Sequence, residues 1–408
     1  MNEVYYAISE NNVEKVKTLL DSGNYFNPDS EKTNSYLYEA CRYKKIEIIK
    51  LLFQYPQIDV NEKIYYSISE SSILYYLCSK SNEGNTYLEV IKLLLSNPDI
   101  DVNSKNGMGI DNSSLHITKN IDVVELLLSH PNINVNVQNS KGETPLMRLL
   151  LSSVDDFINT RDAVVLLLEH PNIDVNVQDN KGLSAIKIIN NSRYLYIACI
   201  VYRDIKLIRL LLRYPDINVN NKKIGDNLLL TSLKFGLGYD NIVKELLQHP
   251  NLDVNGIGQK IPLLSLINSS TRNELTKLFI EHPKINVNVK DKNGNSILLL
   301  ALIKTNWSDN KINIIKLLLS HPDIDVNSKN NESQSPFSVA YQKGLVNDER
   351  NIVSLIVNHP KFNVSKEVAT LLLKTDIYKK YKDIYLLLEK VKQKNKENLN
   401  KILDNIEE

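Results

Sequence analysis

Residues Val123 to Asn136 read VVELLLSHPNINVN, and the same line returns along the whole chain. It is IIKLLFQYPQIDVN from Ile48, VIKLLLSNPDIDVN from Val90, VVLLLEHPNIDVN from Val164, LIRLLLRYPDINVN from Leu207, IVKELLQHPNLDVN from Ile242 and IIKLLLSHPDIDVN from Ile314, with weaker copies from Leu275 and Asn351. Self-similarity at a nearly fixed period is the signature of a repeat architecture. Within the unit, Val123, Val124, Leu127 and Leu128 fall on one helical stripe and leave Glu125 and Ser129 to solvent, so the first half predicts an amphipathic helix. Pro131 has no backbone N–H to give and biases His130 toward extended geometry, so the helix should stop at the His-Pro step. After it the apolar period becomes two, with Ile133 and Val135 on one side and Asn132, Asn134 and Asn136 on the other, which predicts a short extended arm whose Ile and Val are both buried.

The arms end in asparagine, at Asn61, Asn103, Asn136, Asn176, Asn220, Asn255, Asn288 and Asn327, a residue that suits a turn because its side chain bonds nearby backbone and tolerates positive φ. Turn chemistry continues in NSKG from Asn139, DNKG from Asp179 and DKNG from Asp291, and a second helix then starts, as at Thr144-Pro145-Leu146 with proline in its first turn. The repeat prolines, from Pro56 through Pro98, Pro131, Pro171, Pro215, Pro250, Pro283 and Pro322 to Pro360, lie 33 to 44 residues apart.

That spacing and the helix, arm, turn, helix cycle resemble ankyrin repeats. YLYEACRYKKIEIIKLL, from Tyr36 to Leu52, follows the family's inner-helix and outer-helix pattern, with Ala40 and Cys41 as the small residues that let helices approach. The family's Thr-Pro-Leu-His start persists as Thr144-Pro145-Leu146-Met147, Ser335-Pro336-Phe337-Ser338 and Ser114-Leu115-His116, and its Gly-Ala after the outer helix is replaced by the His-Pro segment. The resemblance implies an all-α solenoid of stacked helix pairs joined by short extended arms and turns. About ten repeats are expected over residues 1–365, the first acting as N-terminal cap, followed by capping helices and a charged tail over residues 366–408. It also implies a non-enzymatic scaffold that binds a partner protein through its turn fingers and inner helices.

Composition agrees with this expectation. Forty-two per cent hydrophobic residues supply a continuous core, and the net charge of +1, from 49 basic and 48 acidic residues, argues against bulk capture of nucleic acid or of an anionic membrane. No secretory signal and no membrane-length apolar run is visible, so a cytoplasmic monomer is expected. Three cysteines give no disulfide framework; Cys41, Cys78 and Cys199 read as buried thiols. No nucleophile elbow, phosphate loop, dinucleotide fingerprint or zinc helix occurs, so neither catalysis, nor a cofactor, nor a small-molecule substrate is expected. Six histidines, His130, His170, His249, His282, His321 and His359, precede repeat prolines. Stacked helix pairs about 8–10 Å apart cannot bring them within the ~2 Å bonds of one zinc ion, so they read as helix-terminal residues bonding the last carbonyls, not as metal ligands.

Polar insertions between inner and outer helices are expected at Ser79 to Thr86, Ser152 to Thr160, Asn190 to Arg203, Thr305 to Asn310 and Gly344 to Glu349, and the shortest inner helix in the repeat holding His116. The array should be weakest around that short repeat and around Asn190 to Arg203. Candidate partner-binding residues are the lysines near successive turn tips, Lys105, Lys141, Lys181, Lys223, Lys260, Lys292 and Lys329, and Trp307, the sole tryptophan, in an insertion. Stacking would align the lysines into a ridge, which leaves open a binder of nucleic acid or another acidic ligand; a substrate-recognition adaptor in a larger complex, which would need an appended domain, is a separate alternative.

Overall fold

The computed structural model describes residues 3–363 apart from short stretches at 24–34, 67–68, 83–84, 108, 153–156, 222–226, 257–260, 268–270, 304–308, 344 and 346–351. The expected C-terminal capping helices therefore lie outside the described residues. The chain divides into two compact units, residues 1–198 with 206–217, and residues 199–205 with 218 onward.

The first unit opens with the helix pair Glu3–Ser9 and Val13–Asp21, then Tyr36–Arg42 with Ile46–Leu52, Ile73–Ser81 with Leu88–Leu95, Ser114–Ile117 with Ile121–Leu128, and Pro145–Leu150 with Phe157–Glu169. In the second unit the pairs are Leu228–Lys234 with Asp240–Leu247, Pro262–Ile267 with Asn273–Ile280, Ile297–Ile303 with Asp309–Ser320, and Pro336–Gln342 with Ile352–Val357. Within each unit inner helix packs on inner helix and outer on outer, so the two aliphatic stripes close into one core. Small residues sit where inner helices meet, with Ala7, Ala40, Cys41 and Cys78 at 0% exposure. Burial pushes the Cys41, Cys78 and Cys199 thiols upward, Cys78 to about 12, so these are inert packing groups.

Inner-helix starts carry a regular signal. A small polar residue accepts a hydrogen bond from the backbone N–H three residues on: Ser35 from Tyr38, Ser72 from Tyr75, Thr144 from Met147, Ser184 from Lys187, Asn227 from Leu230 and Ser335 from Ser338. These are N-caps, each worth about 1 kcal/mol. The inner helix Ser114–Ile117 has four residues, the short one the sequence predicts.

The segment after the outer helix differs from an extended arm. His130 O accepts from Ile133 N, with Pro131 second in the turn, where its fixed φ fits, and Val137 N then donates to Asn134 O. Two successive turns therefore replace the arm. The two-residue alternation survives only in part. Val135 is 1% exposed and Val175 3%, yet Ile133 and Ile173 are half-buried, whereas Ile324 and Val326 are both buried.

The histidines use Nδ1 for the turn, not for a helix carbonyl, while the His282 imidazole also bonds the Leu247 carbonyl at the end of the helix Asp240–Leu247, as expected. Each of the six accepts through Nδ1 from the backbone N–H two residues on, at 3.1–3.3 Å: Asn132 to His130, Asn172 to His170, Asn251 to His249, Lys284 to His282, Asp323 to His321 and Lys361 to His359. Imidazole thus closes the proline turn much as an Asn side chain does at Asn97, which accepts from Asp99 N at 2.9 Å.

The arm asparagines are not at positive φ either; all but Asn176 bridge repeats, and Asp216 O is bonded by Asn190 instead. Asn61 Nδ2 donates to Asp99 O and Asn61 Oδ1 accepts from Asp101 N, both at 2.7 Å. Asn103 makes the same pair of bonds with Asn132 O and Asn134 N, and Asn136 with Asn172 O and Asp174 N. In the second unit Asn220, Asn255, Asn288 and Asn327 repeat the pattern on Asn251 and Asp253, Lys284 and Asn286, Asp323 and Asp325, and Lys361 and Asn363. Each of these seven amides uses donor and acceptor at once, so within each unit turn segments are registered on their neighbours by an asparagine ladder.

The insertions are more structured than polar loops. The helix Phe157–Glu169 starts inside the Ser152 to Thr160 stretch, and Asp309–Ser320 starts inside Thr305 to Asn310. Between Asn190 and Arg203 the chain is helical over Tyr194–Tyr196 and continues as a π-helical turn over Ile197–Val201, with Tyr194, Leu195, Ile197, Ala198, Cys199 and Ile200 buried. Those apolar side chains explain why a stretch expected to be a weak insertion is part of the core. Gly344 to Glu349 lies almost wholly outside the described residues.

His116 is 4% exposed, takes part in the cap of its helix with Ser113, and places Nε2 2.9 Å from Glu143 O of the next repeat. Burial lowers its pKa to about 4, against a weaker opposing pull from the Glu143 carbonyl. A folded-state pKa below the unfolded value near 6.5 means that the stabilisation is complete above that value and is lost as pH falls toward 4. Melting of the wild type is expected to weaken by about 3 kcal/mol more between pH 6.5 and pH 4 than melting of His116→Asn, which carries no titrating group. Parallel pH dependence of the two proteins would contradict this.

Candidate protein-binding surface

Between turn segment and next inner helix the described chain projects fingers, and four of them share one construction. Asn139 Oδ1 accepts from Lys141 N and Glu143 N, Asn139 N donates to Glu143 O, and Gly142 N returns to Asn139 O. Asp179, Asp291 and Asn330 nucleate their fingers identically, each through one side-chain oxygen accepting from the residues two and four positions on. The turn needs a left-handed residue, supplied by Gly142 at φ 76°, Gly182 at 74°, Gly294 at 75° and, at extra cost, Ser333 at 61°. Neighbouring fingers are tied by backbone: Asn180 N donates to Lys141 O and Asn331 N to Asn293 O, both at 3.0 Å. A Cβ on Gly142 would stand 2.8 Å from Asn180 N, so glycine also permits this close approach.

This geometry decides where the candidate lysines fall. Lys141 and Lys181 occupy the same position, two residues after the nucleating Asn or Asp, and both are exposed on successive fingers of the first unit. Lys105 is placed differently. Its backbone bridges Ser113 across the base of a longer finger, and its ammonium lies 3.9 Å from Asp111. Lys292 sits one residue after its nucleating aspartate and Lys329 one residue before its asparagine, both exposed. The tip lysines therefore take several finger positions. Lys223, Lys260 and Trp307 lie outside the described residues.

Two cations on inner helices complete the surface in the first unit. Arg148, from Pro145–Leu150, reaches Glu143 at 3.5 Å, and Lys187, from Ala185–Asn191, donates to Gly182 O at 2.8 Å. Both stand beside the fingers that carry Lys141 and Lys181. The nearby acids are occupied: Glu143 is 8% exposed and bonded to Asn139 and Arg148, and the Asp179 carboxylate closes its own finger. Half-buried Tyr75 joins this surface; desolvation raises its phenol pKa, with the Arg148 charge opposing. Neither Arg148 nor Lys187 stands out in the sequence as a binding residue. Their signal is position, three or four residues after the small polar cap of an inner helix, and it becomes readable once the caps are assigned.

Among the described residues no helix is long and apolar enough to cross a membrane. The family model described as ankyrin repeats (3 copies) matches residues 74–179 and 236–330. Among solved structures, the chain is similar to the ankyrin repeat protein EF0377, at 23% identity over 52% of this chain and 96% of that one, with a TM-score of 0.39. It is also similar to a structure of the predatory endopeptidase Bd0816 from Bdellovibrio bacteriovorus in complex with immunity protein Bd3460, at 17% identity over 46% of this chain and 90% of that one, with a TM-score of 0.36. No curated protein matches significantly. Ankyrin repeats generally mediate protein–protein interaction and are typically non-enzymatic. The matched repeats, the stacked helix pairs and the projecting fingers make this chain an ankyrin-repeat protein, whose repeats carry proline turns tied within each unit by an asparagine ladder.

Proposed function

We propose that the chain is a non-enzymatic scaffold that holds a partner protein on its fingers and inner helices, and that in the first unit this surface selects a partner rich in carboxylates. The observation that carries the reading is the set Lys141, Lys181, Arg148 and Lys187 on adjoining fingers and inner helices, with the neighbouring acids already bonded inside the structure. With Arg148 offset by Glu143, the set still keeps a net positive charge, which attracts a complementary surface and orients it, an effect that weakens as salt rises. A nucleic-acid reading would draw on a continuous lysine ridge. The differing finger positions of Lys105, Lys141, Lys292 and Lys329 favour the protein reading instead.

Lys141→Glu combined with Lys181→Glu tests it. Both side chains are exposed, so melting should change by no more than about 0.5 kcal/mol per site. Proteins that co-purify with the wild type in a salt-dependent manner should be depleted at least tenfold with the variant. An unchanged set of co-purifying proteins would overturn the proposal.

A further inference from the structure

In the second unit, the corner where inner helices turn into outer helices carries an apolar cluster that folding does not account for. Val201 is 58% exposed, Tyr202 41%, Phe235 57% and Leu237 59%. They adjoin one another through Tyr239, whose hydroxyl donates to Ile200 O at 3.0 Å, whose ring stacks on Phe235 at 5.2 Å, and over which the Arg203 guanidinium lies at 5.7 Å. Exposed apolar residues scattered singly are ordinary, but a contiguous cluster with a polar rim is the mark of an interaction site.

The same corner occurs in the first unit, which separates what the backbone needs from what the surface adds. There Lys44, at φ 56°, lies over the Tyr87 ring at 4.8 Å, and Tyr87 ends a 3-10 turn over Asn85–Tyr87. In the second unit Arg203, at φ 53°, lies over Tyr239, which ends a 3-10 turn over Leu237–Tyr239. The cation on tyrosine is thus the brace common to both corners. Around it the first unit keeps an exposed tyrosine, Tyr43 at 45%, in the place of Tyr202, but is otherwise polar: Asn85 bonds Asp122 and Asn120, and Arg42 pairs with Glu39 at 3.3 Å. The second unit places Leu237 where Asn85 stands and Val201 where Arg42 stands. Those two apolar residues are not required by the brace.

Charge at this corner points to the occupant. Asp240 is bound by Arg272, which also donates to Leu233 O and Gly236 O, and Asp204 is 8% exposed. Arg203 and Lys234 are exposed beside the apolar side chains. An apolar surface with a cationic rim complements a segment that carries aliphatic or aromatic side chains next to carboxylates. We propose that the Val201, Tyr202, Phe235 and Leu237 corner is a second docking surface, separate from the fingers, for an acidic amphipathic segment of a partner protein.

The test is selection of a displayed library of random 12-residue peptides on the full chain, with titration of the recovered peptides as synthetic probes. Recovered peptides should combine Leu, Ile or Phe with Asp or Glu. Phe235→Ser with Leu237→Asn should weaken them at least tenfold, and Arg203→Asn, which keeps a residue tolerant of positive φ, should abolish their preference over counterparts bearing Asn and Gln. Lys141→Glu with Lys181→Glu should leave these affinities within twofold, so failure of the finger reading and failure of this one are distinguishable. Should the first variant melt early, Val201→Gln with Leu237→Gln leaves the Phe235–Tyr239 stack in place, adds no charge and must give the same loss. Peptides indifferent to these variants would overturn the proposal. So would corner-dependent self-association in sedimentation, or corner-dependent binding to phosphatidylserine vesicles in place of peptides.

Discussion

Val175→Asp is expected to lose about 4 kcal/mol or more of stability, because it places a carboxylate without a cationic partner in a close-packed apolar site. Val175 is 3% exposed, and its carbonyl accepts from Ile186 N at the start of the inner helix Ala185–Asn191, so the substitution strikes where the turn segment, the finger and the helix meet. Asp174→Ala is the control beside it: the adjacent side chain is exposed and accepts only from Asn176 N at 2.8 Å, so about 1 kcal/mol is at stake. Denaturant melting of both variants decides. A Val175→Asp midpoint equal to that of the wild type would show that the valine of the turn segment is not a core residue.

The second large effect is expected from breaking the asparagine ladder at two consecutive rungs. Asn255 bonds Lys284 O and Asn286 N, and Asn288 bonds Asp323 O and Asp325 N, all at 2.7–2.8 Å. Asn255→Ala with Asn288→Ala removes four hydrogen bonds worth about 1 kcal/mol each, giving a loss of about 4 kcal/mol in the second unit. In a stacked array the energy resides in interfaces between neighbours, so amide exchange should rise first in the turn segments around Lys284 and Asp323. Asn255→Asp with Asn288→Asp separates the two halves of each rung: the acceptor is kept, the donor is lost, and a smaller loss is expected. A double alanine variant as stable as the wild type would mean that water replaces the rungs without cost.

The helix pairs are legible because the apolar period of VVELLL and its copies is set by local geometry and by burial on one side. The stretch after each proline is harder to read. INVN alternates like a strand, yet His130 and Asn134 each accept from a backbone N–H two residues on, and that local bonding curls the segment into turns. Asparagine reads as a turn former, a role that requires only its own backbone, whereas Asn136 works 36 and 38 residues away on Asn172 and Asp174. Nothing local in the residue distinguishes these roles; its recurrence at every arm end is the available sign. The finger lysines are visible individually, but their alignment depends on which residue nucleates each finger. That is why Lys141 and Lys181 coincide and Lys105 does not.

The most direct test of the scaffold reading is site-specific photo-cross-linking from two positions of the full chain in its own cells. One photoreactive residue replaces Lys181 on a finger, and the other replaces Glu125, exposed on the outer helix Ile121–Leu128. A discrete protein adduct is expected from position 181, diminished by Lys141→Glu, and none from position 125. An adduct from position 125 with none from 181 would contradict it.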